Sequence, residues 1–322
     1  MPLGSARLLS AVLLGVTGLA LVPVRTASAA PGAARSLLLD GVVRADGAIV
    51  AVGERGAVLI SDDQAASWRT LPSTVDAALT GVTFVDASLG WICGHGGVLL
   101  HTQDGGRSWQ RQLQDEPGDT VLLDIVALSP QSVIAVGAFG TLRVTHDGGR
   151  SWERPASAGE DRHLNRILLE RGGAVWIAGE GGLLMRSGDQ GRTWQAVSVR
   201  EDAPSLYGLL ELRSSEVLVH GLRGHAWRVG RAEEIAAVDI EAPVMLATSC
   251  RLADGRFLLA GAARWFFISA DDARTFTRVS LPLTTGVAEL LPLKDGRVLA
   301  LGEAGATVLR LPAGSGTNPP SP

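Results

Sequence analysis

The chain has one lysine, Lys294, one tyrosine, Tyr207, and two cysteines, Cys93 and Cys250. Aromatic residues make up 5% of it. Each shortage excludes something. With 29 Lys and Arg against 33 Asp and Glu, the net charge is −4. Nucleic acid demands a strongly basic footprint, so no nucleic-acid partner is expected. The six histidines, at 95, 101, 146, 163, 220 and 225, show no His-x-x-x-His spacing, and no Cys-x-x-Cys pair exists, so no metal ligand is assigned. Glycine turns such as GEGG and GHGG are not followed by helical spacing. They read as hairpins rather than phosphate loops, and no cofactor is expected. Apolar spacing of three and four is absent as well, which excludes a helical solenoid.

Long apolar runs are missing except at the start. Arg7 precedes a run from Leu8 to Val24, broken only by Ser10 and Thr17, and Ala27-Ser28-Ala29 follows. This is the pattern of a signal peptide cleaved after Ala29, and the run falls short of the ~20 residues a bilayer needs. Residues 1–29 are assigned to the leader and 30–312 to the folded unit. The Gly/Ser/Pro-rich stretch 313–322 is expected to be disordered. Removing Arg7 and Arg25 with the leader takes the net charge from −4 to −6. The processed chain is expected to be exported, without a transmembrane segment, and monomeric.

A repeat fills the remainder. A glycine closes an apolar stretch at Gly53, Gly94, Gly137, Gly179, Gly221, Gly261 and Gly302, spaced 40 to 43 residues apart. That spacing is the length of one four-stranded propeller blade. Three residues before each glycine stand Val50, Trp91, Ile134, Trp176, Leu218, Leu258 and Leu299, all apolar. One before stand Val52, Cys93, Val136, Ala178, His220, Ala260 and Leu301. Alternate apolar positions of this kind are what a buried strand requires. The expected fold is an all-β, seven-bladed propeller of four-stranded antiparallel blades, with strands A to D running outward from the axis. In strand C the residues Leu59, Leu100, Arg143, Met185, Trp227, Phe267 and Val308 align. Arg143 breaks that column and needs a buried partner. Cys93 and Cys250 fall in blades too far apart for a disulfide, so two free, buried thiols are expected.

Between strands C and D a short string recurs: SDDQAASW (61–68), TQDGGRSW (102–109), THDGGRSW (145–152), SGDQGRTW (187–194) and SADDARTF (269–276). Five rim copies are wrong for a catalytic set, which is needed once. They suit a turn in which Ser or Thr and Asp bond the local backbone and glycine supplies positive φ. Asp63, Asp104, Asp147, Asp189 and Asp271 are assigned as turn aspartates. Trp68, Trp109, Trp152, Trp194 and Phe276 are assigned as aromatics packed between blades.

The string resembles the Asp-box, or BNR repeat, of the sialidase-like propeller superfamily. The fuller pattern, with its seven Val-Gly units, resembles the photosystem II stability/assembly factor family from about Leu37 to Leu311. The fifth and seventh units lack the box. The resemblance implies a non-catalytic propeller that assists a membrane-protein complex, photosystem II in a phototroph, on the periplasmic or thylakoid-lumen side. A sialidase would need an Arg-Ile-Pro motif near its start, which is absent. Tyr207 and Glu211, four apart in one strand, are the pair that could serve as its catalytic couple, and no catalytic residue is assigned. The alternatives are a glycan-binding or glycan-cleaving propeller of the sialidase kind and an accessory to an envelope transporter.

Charge divides by turn. The D–A connections QDEPGD (114–119), GEDR (159–162), REDAP (200–204) and RAEE (231–234) make one face acidic, with Glu54, Glu180 and Glu303. The A–B turns carry Arg44, Arg171, Arg213, Arg256 and Arg297, and the C–D turns add Arg107, Arg150, Arg192 and Arg274. The second face is expected to be predominantly basic, although Asp46, Glu170, Asp254 and Asp295 dilute it, and to dock a subunit of a membrane-protein complex or another envelope protein.

Overall fold

In a computed structural model of the chain, residues 35–113, 119–155, 161–230, 234–262 and 264–312 are described. The expected leader, the tail from 313, and residues 114–118, 159–160 and 231–233 of the acidic D–A connections lie outside those residues. The described chain forms seven antiparallel sheets in sequence order. Blade one contains Leu38–Val43, Ile49–Gly53, Val58–Ser61 and Arg69–Thr70 as strands A to D. The remaining A strands are Leu79–Phe84, Leu122–Ala127, Leu164–Leu169, Leu206–Glu211, Leu246–Arg251 and Val287–Pro292. They contact one another in order around the axis, and the last meets the first. Five blades have four strands. Blade three replaces its outer strand with a single bridge, Val144 to Glu153. No described helix is long and apolar enough to cross a membrane.

Strand B is buried at every position in all seven blades. Two flanking sheets therefore enclose it, which is why Trp91 and Trp176 fit there at no more than 1% exposure. The glycine that ends strand B has a reason other than turn geometry. At Gly53, Gly137 and Gly221 the backbone is extended or nearly so, yet an added Cβ would lie 2.0–2.2 Å from the carbonyl oxygen that precedes strand A. The same approach recurs at the other four, at 2.2–2.6 Å. In each blade the chain entering strand A crosses directly over the end of strand B, and only a hydrogen fits between them.

Blade seven departs from the expected alignment. In blade one Ala51 pairs with Leu59, but Ala300 pairs with Thr307. A tighter hairpin, closed by the Gly302–Gly305 pair, shifts strand C (Gly305–Leu309) by one residue. Thr307, not Val308, thus occupies the column of Leu59 and Leu100, because a one-residue slip exchanges the two faces of a strand. Arg143 keeps its place opposite Ala135, 8% exposed, and donates to the carbonyl of Leu142 at 2.9 Å. Cys93 and Cys250 are free and buried, and burial holds both thiols above their ordinary pKa.

Candidate functional site

Every strand A begins with an apolar residue, then a bulge, then a residue opposite the strand-B position just before its glycine. A bulge re-aims the side chain that follows it. The seven residues so placed are Asp40, Gly81, Asp124, Arg166, Gly208, Thr248 and Glu289. They form a polar ring at the axis, a feature the alignment of strands B and C did not bring out. Arg166, in blade four, reaches Asp124 at 3.4 Å and crosses to Glu289 of blade seven at 2.5 Å. The two carboxylate side chains are 8% and 6% exposed. The three ring acids also accept from N–H groups of strands A, Asp124 with the same Oδ2 that faces Arg166. Asp40 accepts from Val82 at 2.7 Å, Asp124 from Ile167 at 2.9 Å and Glu289 from Leu290 at 3.1 Å. Asp40 and Asp124 thus tie one strand A to the next, Glu289 is joined to blade six by the Thr248 hydroxyl at 3.3 Å, and the arginine spans blades three, four and seven.

Where the ring has glycine, strand B fills the gap. His220 is fully buried and its ring stands where a Cβ on Gly208 would be. Its Nδ1 lies 3.1 Å from the carbonyl of Leu246 and its Nε2 2.9 Å from Ser249 Oγ. A Ser–His contact invites a nucleophile reading. Burial brings this imidazole down to about 4, too weak a base for neutral-pH catalysis. Nor are Tyr207 and Glu211 brought together. Tyr207 is the bulge residue at one end of its strand, roughly 13 Å from the other end at strand rise. Glu211 at that far end pairs with Arg171 at 3.5 Å.

Burial holds Asp40 and Asp124 above the ordinary carboxyl range, with Arg166 opposing it. An acid whose folded pKa is raised adds stability below its unfolded value and loses it as pH climbs through the folded value. Asp40→Asn is therefore expected to raise Tm at pH 8 and to give a smaller gain near pH 4. Calorimetry at the two pH values checks this, and an equal shift at both would contradict it.

At the rim the five C–D turns are superimposable in their bonding. In blade three, Thr145 donates to Asp147 at 2.8 Å, and the Ser151 amide and hydroxyl donate to its two oxygens at 2.9 and 2.6 Å. Asp63, Asp104, Asp189 and Asp271 repeat the set. The bonds from Ser151 and Thr193 hold Asp147 and Asp189 down at about 2. These aspartates stabilise above the ordinary carboxyl range and lose that contribution as pH falls towards 2, opposite in sign to Asp40. Trp109 packs between blades one and two beside Leu71, and edge-on to Phe84 at 6.1 Å. Trp152, Trp194, Phe276 and Trp68 lie in the corresponding clusters.

The A–B and C–D turns share one face, as the bond from Arg44 to the Gly105 carbonyl at 2.7 Å shows. That face is patterned in both signs rather than basic, for two reasons. Each of the four arginine-bearing C–D boxes brings an ionised aspartate to the same turn as its arginine. Each A–B arginine also has a carboxylate: Arg44 with Asp46, Arg171 with Glu211, Arg213 with Asp272, Arg256 with Asp254 and Arg297 with Asp295. Arg44, Arg256 and Arg297 are 8%, 18% and 28% exposed, whereas Arg171 and Arg213 are 70% and 42% exposed. The opposite face holds a residue the sequence reading passed over. Phe139 is 68% exposed, with φ 52°, and its ring meets His163 edge-on at 4.9 Å. Its signal was GAFG, a bulky residue where the equivalent turns have Gly96 or Gly181. Among the described residues no cluster of three or more His, Cys, Asp or Glu is arranged to hold a metal ion.

A model of the family described as photosynthesis system II assembly factor YCF48 matches residues 35–153 and 112–211, more than half of the chain. The chain belongs to this family. Photosystem II assembly lipoprotein Ycf48 of Synechococcus sp. (strain CC9902) is 32% identical over 84 residues. That match covers 24% of the chain and 25% of the relative, so the chain spans about a quarter of the curated relative it matches. Among solved structures, YCF48 bound to D1 peptide is 18% identical with a TM-score of 0.69, covering 87% of this chain and 94% of that one. YCF48 from Cyanidioschyzon merolae is 18% identical at 0.70, covering 85% and 95%. A virginiamycin B lyase from Staphylococcus aureus reaches 0.73 at 12% identity, covering 85% and 94%. At these identities the three likenesses speak for the fold.

Proposed function

We propose that this YCF48-family propeller is a non-catalytic docking disc that assists assembly or stability of a membrane-protein complex on the exported side of the membrane. In a phototroph that complex is photosystem II. The observation that carries the reading is the family match over residues 35–211. The D1 peptide on the related YCF48 structure supports a segment of a complex subunit as the ligand class. The polar ring supports a structural axis, since its charged groups are spent on one another and on strand edges. The leader pattern supports export, and the processed chain would act as a monomer.

The docking face in this reading is the one with the A–B and C–D turns. Arg171 and Arg213 are its contact residues, being the most exposed of the five A–B arginines. Arg44, Arg256 and Arg297 brace their own turns. Paired charges on such a face give register and encounter rate more than affinity. Reversing Arg171 and Arg213 together to Glu is expected to weaken partner binding at least tenfold at low salt, with the fold retained and Tm lowered by a few degrees because the largely buried Glu211 and Asp272 lose their countercharges. Co-purification of the tagged variant from envelope extracts checks it. Undiminished partner recovery would remove these arginines from the interface.

A further inference from the structure

Among the described residues, blade seven has three strands and an unpaired outer edge. Among the described residues nothing pairs with the outer side of its strand C, Gly305–Leu309. Ala306, Thr307 and Val308 are half-buried as a result. Strand C of blades one, two, three and five is buried throughout, and in blades four and six at all but one position.

The other blades show what the edge would take. The amides of Leu71, Gln112 and Val197 donate to the carbonyls of Val58, Leu99 and Leu184 at 2.8–2.9 Å. The equivalent acceptor in blade seven is Ala306, and by antiparallel alternation Val308 turns both main-chain groups outward. The residue at that anchor position is Leu71, Val197, Val238 or Val279 in blades one, four, five and six. It packs towards the aromatic of the next blade, as Leu71 does with Trp109 and Val238 with Phe276. In blade seven the waiting groups are Trp68 and Ala65 of blade one, clustered with Ala306 and Val308.

The chain's own neighbouring sequence is poorly matched. Anchors stand 8–10 residues before the next strand A, which from Leu38 means Ser28, Ala29 or Ala30, at the expected cleavage point. They stand 9–10 residues after the end of strand C, which from Leu309 means Asn318 or Pro319. None is a large aliphatic, and proline has no N–H to give Ala306. An unpaired edge beside an apolar pocket is a template for another chain. We propose that this edge accepts, by strand addition, an extended segment of a partner polypeptide with an aliphatic residue at the anchor position. The site lies on the rim and does not depend on the arginine face.

The test uses the processed protein and a labelled synthetic peptide with the sequence of Ser67–Ser73, SWRTLPS. Saturable binding is expected, with exchange of the Val308 amide slowed at least tenfold. The same peptide with Leu71→Asp should bind at least tenfold more weakly. A protein variant with Thr317→Arg, Asn318→Thr and Pro319→Leu places the blade-one outer strand at matching spacing, and should stay folded but lose the peptide. Three results would overturn the proposal: no saturable binding, a Val308 amide already protected in the peptide-free monomer, or protection that appears only as the protein dimerises.

Discussion

Arg166→Leu is expected to cost about 3–5 kcal/mol, the usual loss when one partner of a buried ion pair is removed. For a folded unit of this size that lowers Tm by roughly 5–9 °C. The cause lies in Asp124 and Glu289, whose side chains are 8% and 6% exposed and would be left buried without their guanidinium partner. Leucine supplies apolar volume but no donor. Adding Asp124→Asn and Glu289→Gln to the variant is expected to recover most of the loss, because the neutral amides can still accept from the strand-A edges. Denaturant melts of the single and triple variants measure this. A single variant within about 0.5 kcal/mol of the parent, the range of an ordinary surface change, would mean that the ion pair is idle.

Gly137→Ala is expected to be nearly as damaging, at about 3 kcal/mol or more, the upper end of overpacking costs. Its Cβ would lie 2.0 Å from the carbonyl oxygen of Val121 and 2.9 Å from the Cα of Leu122, both backbone atoms with no rotamer to give way. Gly173→Ala is the control. It has φ 86° and open space around it, so only the left-handed backbone is at stake, worth about 1–2 kcal/mol. Equal costs at the two sites would show that close approach is not why this glycine recurs in every blade.

That glycine is the residue from which the blade count was legible, since a steric demand repeated seven times leaves a periodic mark. The Asp-box turns were legible for a related reason: their bonding is local, and all the partners fall within eight residues. The axial ring was harder to read. Its residue types vary freely, Asp, Gly, Arg, Thr and Glu, because the polar ones find partners roughly 40 or 120 positions away and the glycines are filled by Cys93 and His220 of the neighbouring strand. The L-x-D and L-x-R starts of strands A held the signal, but only the bulge shows that the third residue turns to the axis. The arginine face carries more negative charge than the turn arginines alone suggest, for a simpler physical reason. The turn aspartates are structural, yet held below the ordinary carboxyl range they remain full negative charges. The shift in blade seven followed from a hairpin shorter by one residue than column alignment allows.

The most direct test of the docking account is photo-crosslinking in cells from two positions, one on each face. A crosslinking residue at Gln131 samples the A–B side and one at Phe139 the opposite side, and both positions are exposed. The account predicts reproducible adducts from position 131 to one subunit of a membrane-protein complex, and few or none from position 139. Adducts from position 139 alone would place docking on the other face. No reproducible protein adduct from either position would contradict a docking function.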